Sequence, residues 1–212
     1  MKKVLSIFTI AMLVISLVGC QAQDALSVFE RAASDEISLM ASYEAIEETD
    51  VNNQTLDQLS FENIQQLSMT LGTDDMTNLE KIAYIRSLFE DIQIAHAQNI
   101  LIRYENKDSW SALKLCVQAF RDAELTLTED DQTILLTYKT EFSIRRLEVM
   151  ETVGDIKEML MELKGLYDLD HLDVIIQNFE AILDILEMRY DHMLFVQATL
   201  IDVNSILTSY LA

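Results

Sequence analysis

Residues 170–212 read DHLDVIIQNFEAILDILEMRYDHMLFVQATLIDVNSILTSYLA, and their spacing decides the fold. Apolar residues recur there every seven positions: Leu172, Phe179, Leu186, Met193, Leu200 and Leu207. A second apolar row, Ile175, Ile176, Ile182, Leu183, Val196, Ile201, Val203 and Leu211, lies beside the first. At about 3.6 residues per turn the rows occupy adjoining faces of one helix, wide enough to meet two neighbours. No Gly or Pro interrupts it, so the helix should extend roughly 60 Å at 1.5 Å per residue. The rest of the chain reads as material packed along this rod.

Composition agrees. The 212 residues include no Pro and 4 Gly, where ordinary chains carry about 5% Pro and 7% Gly. The residues that punctuate strands and long loops are therefore scarce, which favours long helices joined by short turns. Half the residues are hydrophobic, enough for a core without disulfide staples. The formal charge of −21 repels nucleic-acid phosphates and anionic headgroups, so nucleic-acid binding is disfavoured. Such an acidic excess ordinarily coats a solvated face.

Upstream, the pattern predicts five further helices. The first spans Asp24 to about Glu48, with Asp24 as N-cap and Leu26, Phe29, Ala33, Ile37 and Met40 inward. A capping box, Thr55-Leu56-Asp57-Gln58, opens a second that ends at Leu71 before Gly72. A third runs from Thr73 to about Glu105, and Asn106-Lys107-Asp108 reads as a turn into a fourth with Trp110, Leu113, Val117 and Phe120 inward. The fifth starts at Thr128-Glu129-Asp130-Asp131 and carries the row Leu135, Phe142, Val149, Ile156 and Leu163. Gly154 within it suggests a slight bend or a close crossing. A turn over 165–169 leads into the C-terminal helix. The expected fold is all-α: an elongated bundle of about six helices with a long antiparallel C-terminal pair. Asp-Asp-x-Thr-x-Leu occurs at both 74–79 and 130–135, but these are ordinary helix-start residues and carry little weight for duplication.

The chain begins with a short basic region, Lys2-Lys3, and an apolar run of fifteen residues, Val4 to Val18. It closes on Leu17-Val18-Gly19-Cys20. These residues resemble the leader of bacterial prolipoproteins, whose lipobox has Leu, a small or apolar residue, Gly or Ala, then Cys. The resemblance covers residues 1–20 and implies a diacylglyceryl group on the Cys20 sulfur, with cleavage leaving Cys20 first. Expected divisions are a signal peptide over 1–19, a lipidated Cys and short tether over 20–23, and one helical domain over 24–212. The implied location is the extracytoplasmic face of the cell membrane. Because Gln21 replaces the Asp retention residue of that class, a host with two membranes would send the protein to the outer one. Loss of Lys2 and Lys3 with the leader makes the mature chain more acidic still.

Few residues suggest chemistry. Paired Glu-x-x-His motifs, the carboxylate-metal signature of helical bundles, do not occur in the sequence. Asp170, His171 and Asp173 are weak candidates for a divalent cation, though acidic residues at a helix start serve the dipole equally well. His96 lies at a core boundary and His192 at the edge of the apolar stripe, both reading as structural. Cys116, in an apolar pattern, reads as a buried inert thiol. Met150, Met159 and Met161 read as core filler, and Arg145-Arg146 as partners for acids on a neighbouring helix, with docking of an anionic ligand as the alternative. The sequence has no nucleophile elbow, phosphate loop or His-Glu-x-x-His motif. The expectation is a non-enzymatic, lipid-anchored envelope protein without cofactor. Its partners are the membrane through Cys20 and an envelope protein. The alternative is an extracytoplasmic lipoprotein that binds a ligand or cation.

Overall fold

A computed structural model describes residues 24–50, 76–163, 166 and 169–212. Cys20 and the predicted helix over 55–71 lie outside the described residues. Among those described there is no strand; the elements are α1 (Ala25–Asp50), α2 (Met76–Asp122), α3 (Glu129–Glu151), α4 (Asp155–Leu163), a 3-10 turn (Leu169–His171) and α5 (Leu172–Leu211). The all-α expectation holds.

Two predicted boundaries are corrected. The expected third and fourth helices are one, α2, of 47 residues and about 70 Å. Asn106, expected in a turn, is fully buried and continues the heptad row Ile85, Ile92, Asn99, Asn106, Leu113 and Phe120. Lys107 and Asp108 face solvent on the same turn. Conversely, the expected fifth helix is broken after Glu151. Thr152 ends α3, with its hydroxyl donating to Val149 O at 2.8 Å, and Gly154 takes φ +97°, backbone that glycine adopts freely. The apolar row passes through the break unharmed: Leu135, Phe142, Val149, Ile156 and Leu163 are all buried.

Helix ends follow local chemistry. The Asp24 carboxylate accepts from Leu26 N at 3.1 Å and from Ser27 Oγ at 3.2 Å, as an N-cap should. Thr128 caps α3, accepting from Asp131 N at 3.2 Å. The Tyr210 hydroxyl donates to Asp131 and accepts from Thr128 N at 2.9 Å. The Thr128 hydroxyl, which donates to the Asp131 carboxylate at 2.6 Å, and the Tyr210 hydroxyl hold that carboxyl below its ordinary range. The Tyr210 bonds also pin the start of α3 to the end of α5.

Cross-helix bonds give the directions. Lys81 meets Asp173, Tyr84 meets Glu180, Asn99 meets Leu186, Asn106 meets Met193 and Cys116 approaches Asn204. Both numbers rise together, so α2 and α5 are parallel. Tyr138 meets Asp202 and Thr152 meets Arg189; α3 therefore descends antiparallel to α5. The Tyr138 bond to the Asp202 carboxylate pushes that phenol up to about 12. α1 runs antiparallel to α2, with Ser27 near Arg121 and Met40 near Asn106. The expected antiparallel C-terminal pair is present as α3–α4 against α5, but it is broken, and the most extensive partner of α5 is α2, in parallel register.

Two apolar cores result. One joins Ile82, Phe89 and Ile92 of α2, Ile156, Leu160 and Leu163 of α4, and Leu172, Phe179 and Ile182 of α5. The other joins Leu26 and Phe29 of α1, Leu113 and Phe120 of α2, Phe142 of α3, and Val196, Leu200 and Leu207 of α5. In the second, the Phe142 ring lies 5.9 Å from Phe29 and 5.8 Å from Phe195, favourable aromatic separations. α5 is long and apolar enough by composition to cross a bilayer. Its main apolar row packs against helices of its own chain, and 14 of its residues are buried.

Candidate functional site

The two cores are separated by a layer of buried polar side chains. Glu36, Asn99, Asn106, Thr152, Arg189 and His192 are each no more than 9% exposed. Among the described residues, α1, α2, the end of α3 and α5 all contribute. Asn99 and Asn106 sit seven residues apart on α2, in the row that meets α5. Asn99 Nδ2 donates to Leu186 O at 2.9 Å and to Ala95 O at 3.0 Å. Asn106 Nδ2 donates to Met193 O at 2.9 Å and approaches Met40 Sδ at 3.7 Å. Leu186 and Met193 are also seven apart, so the same contact is made twice, one heptad on. A buried amide in such a row fixes register, because a slip strands its donors in an apolar layer.

Arg189 occupies the α5 row Ile175, Ile182, Arg189, Val196 and Val203. Its Nη2 donates to Thr152 O at 2.8 Å, and the Thr152 hydroxyl lies 3.3 Å away. A cation thus faces the C-terminal carbonyls of α3, where helix polarity favours positive charge. His192, expected at the edge of the stripe, is corrected to 2% exposed. Its Nε2 lies 3.0 Å from Glu36 Oε2, joining α5 to α1. Asn99 Oδ1, Asn106 Oδ1 and His192 Nδ1 are buried without a hydrogen-bond partner.

The other candidates are scattered. Asp170 is exposed, His171 is half-buried at the 3-10 turn, and Asp173 is taken by Lys81 Nζ at 2.7 Å. Among the described residues, no group of three His, Cys, Asp or Glu side chains could hold a metal ion. His96 is half-buried one turn before Asn99. Cys116 is half-buried rather than enclosed, its Sγ 3.6 Å from the Thr208 hydroxyl. Met159 packs on the first core, but Met150 and Met161 are exposed and fill nothing. Arg146 lies 3.8 Å from Asp35, as expected for acid pairing, whereas Arg145 stacks 4.3 Å over the Phe195 ring.

No protein-family model, curated protein or solved structure matches the chain. The polar layer must therefore be understood from its own chemistry. It offers register, capping and one buried acid–imidazole pair; it has no nucleophile beside a base. The sequence did hold a trace of it: Asn twice in succession in an otherwise apolar heptad row, and Arg once in another.

The asparagines permit a direct check. Leu keeps the branched outline of Asn and lacks its polar atoms, while the carbonyls of Leu186 and Met193 remain acceptors within α5. The double change Asn99→Leu and Asn106→Leu is expected to raise stability by about 1 kcal/mol or more. It should also broaden the set of α2–α5 registers. Urea unfolding reads the first effect and amide exchange along α2 the second. A less stable, uniformly protected variant contradicts the register role.

Proposed function

We propose that this protein is an exported, lipid-anchored, elongated helical bundle of the cell envelope that acts as a structural or protein-interaction module without catalysis. The observation that carries the reading is the leader: Lys2-Lys3, the apolar run Val4 to Val18, and Leu17-Val18-Gly19-Cys20. Acyl chains on Cys20, at about 0.8 kcal/mol per buried methylene, hold a protein at a bilayer almost permanently. Only Gln21-Ala22-Gln23 separates that lipid from Asp24, so the bundle stands close to the membrane. Support for an interaction role comes from α3, where Leu136, Ile144, Leu147 and Met150 are exposed along one side; grouped exposed apolar residues accompany partner contacts.

Cys20→Ser is the test. The variant is expected to leave the membrane fraction or to persist as an unprocessed precursor heavier by the leader. Retention at the membrane with wild-type mass removes the lipoprotein reading.

The second reading, a ligand-binding lipoprotein, is favoured by the charged groove between α1 and α3.

A further inference from the structure

On a chain of net charge −21, positive side chains are few, and three of them surround one concavity. The groove lies between α1 and α3 and has a volume of about 230 Å³. Arg31 comes from α1, Lys139 and Arg146 from α3, and Asp35 and Glu36 line the same groove. The two acids are not equivalent. Glu36 is buried and turned inward, with Oε2 3.0 Å from His192; Asp35 is the one exposed carboxylate of the lining.

The cations are incompletely used. Arg146 Nη1 is 3.8 Å from Asp35 and 4.0 Å from Glu36, beyond the roughly 2.7–2.9 Å of a charge-assisted hydrogen bond. Arg31 and Lys139 have no carboxylate within 4.0 Å among the described residues. Lys81 and Arg121, by contrast, close directly on acids, Lys81 on Asp173 at 2.7 Å and Arg121 on Glu30. Three cations face two acids in this lining, so one positive charge is left in excess, and a single bound anion balances it. The floor is of different character. Val28 and Ala32 are half-buried and Phe142 lies beneath them, so the base of the groove is apolar.

We infer that this groove binds a small carboxylate with a short apolar body. The carboxylate takes the open donors of Arg31, Lys139 and Arg146, and the body covers Val28 and Ala32. A bare oxyanion satisfies the charge but leaves the floor wet. An ammonium-headed molecule of the same length meets repulsion. The acidic surface around the groove turns away polyanions, which restricts the site to a single small charge. The inference goes beyond the envelope role and does not depend on the lipid.

Isothermal titration of the full chain at constant ionic strength tests it, with sodium hexanoate, sodium phosphate and hexylammonium chloride as separate probes. Hexanoate should bind saturably, phosphate more weakly and hexylammonium not at all. The double variant R31A/K139A removes two exposed side chains, and an unchanged thermal melt shows that it folds. It should lose at least roughly tenfold in hexanoate affinity, while R31K/K139R keeps most of it. Absence of saturable hexanoate binding, or equal binding by R31A/K139A, overturns the site. Phosphate binding as tight as hexanoate overturns the part assigned to the apolar floor.

Discussion

Leu186→Asp is expected to cost about 4 kcal/mol of folding stability. Leu186 is 3% exposed, and its carbonyl accepts from Asn99, so it stands where the first core meets the polar layer. A carboxylate there removes a core side chain and is taken out of water, and even with Arg189 one turn along the helix that combination should cost about 4 kcal/mol. Since domains of this kind are stable by only about 5–15 kcal/mol, the variant should melt far below the parent. Ile201→Asp, on the same helix at a site 57% exposed, should change little. Side-by-side urea titrations separate the two. Equal midpoints for both variants would mean that the row through Leu186 does not face a core.

The part of the fold that this variant probes was open to sequence reasoning because it depends on spacing alone. All six residues of the main α5 row are buried, and so are all five of the α3–α4 row. In the second α5 row, Ile175, Ile182, Val196 and Val203 are buried, but Ile201 and Leu211 are exposed. The stripe is narrower than its apolar residues suggest, because exposed apolar side chains are common on folded surfaces.

What escaped depends on partners distant in sequence. Asn106-Lys107-Asp108 has turn composition when read locally. Only the Met193 carbonyl, 87 residues away, explains why Asn106 belongs in a buried row instead. Short connections likewise suggest antiparallel neighbours, and α3–α4 obeys that rule against α5. The parallel pairing of α2 with α5 arises because α3–α4 carries the chain back to the starting end. The polar layer was hidden for the same reason: Glu36 and His192 are 156 residues apart, and neither has a distinctive local motif. The groove between α1 and α3 depends on helix packing, although the sequence does place Arg146 on the side of α3 that comes within 4.0 Å of acids on α1.

Arg189 tests whether the break between α3 and α4 is imposed by packing or by the charge placed against it. Arg189→Ala removes a long buried stem and leaves Thr152 O without its 2.8 Å donor. Thr152 O then keeps only the longer 3.4 Å bond from Asp155 N, and cavity formation with the loss of the shorter bond should together cost about 3 kcal/mol. Arg189→Met separates the two contributions, because it fills much of the space and removes the desolvation cost of a buried cation. If the guanidinium matters chiefly as volume, Met should restore nearly all the stability lost in Ala. If it matters as a cap for the carbonyls ending α3, Met should restore only part of it, and amide protection should fall at Gly154 and Asp155. The bond from Arg189 to Thr152 O and the left-handed Gly154 two residues later favour the second outcome. Full recovery by Met, with protection at the break unchanged, would make the cation incidental to the helix break.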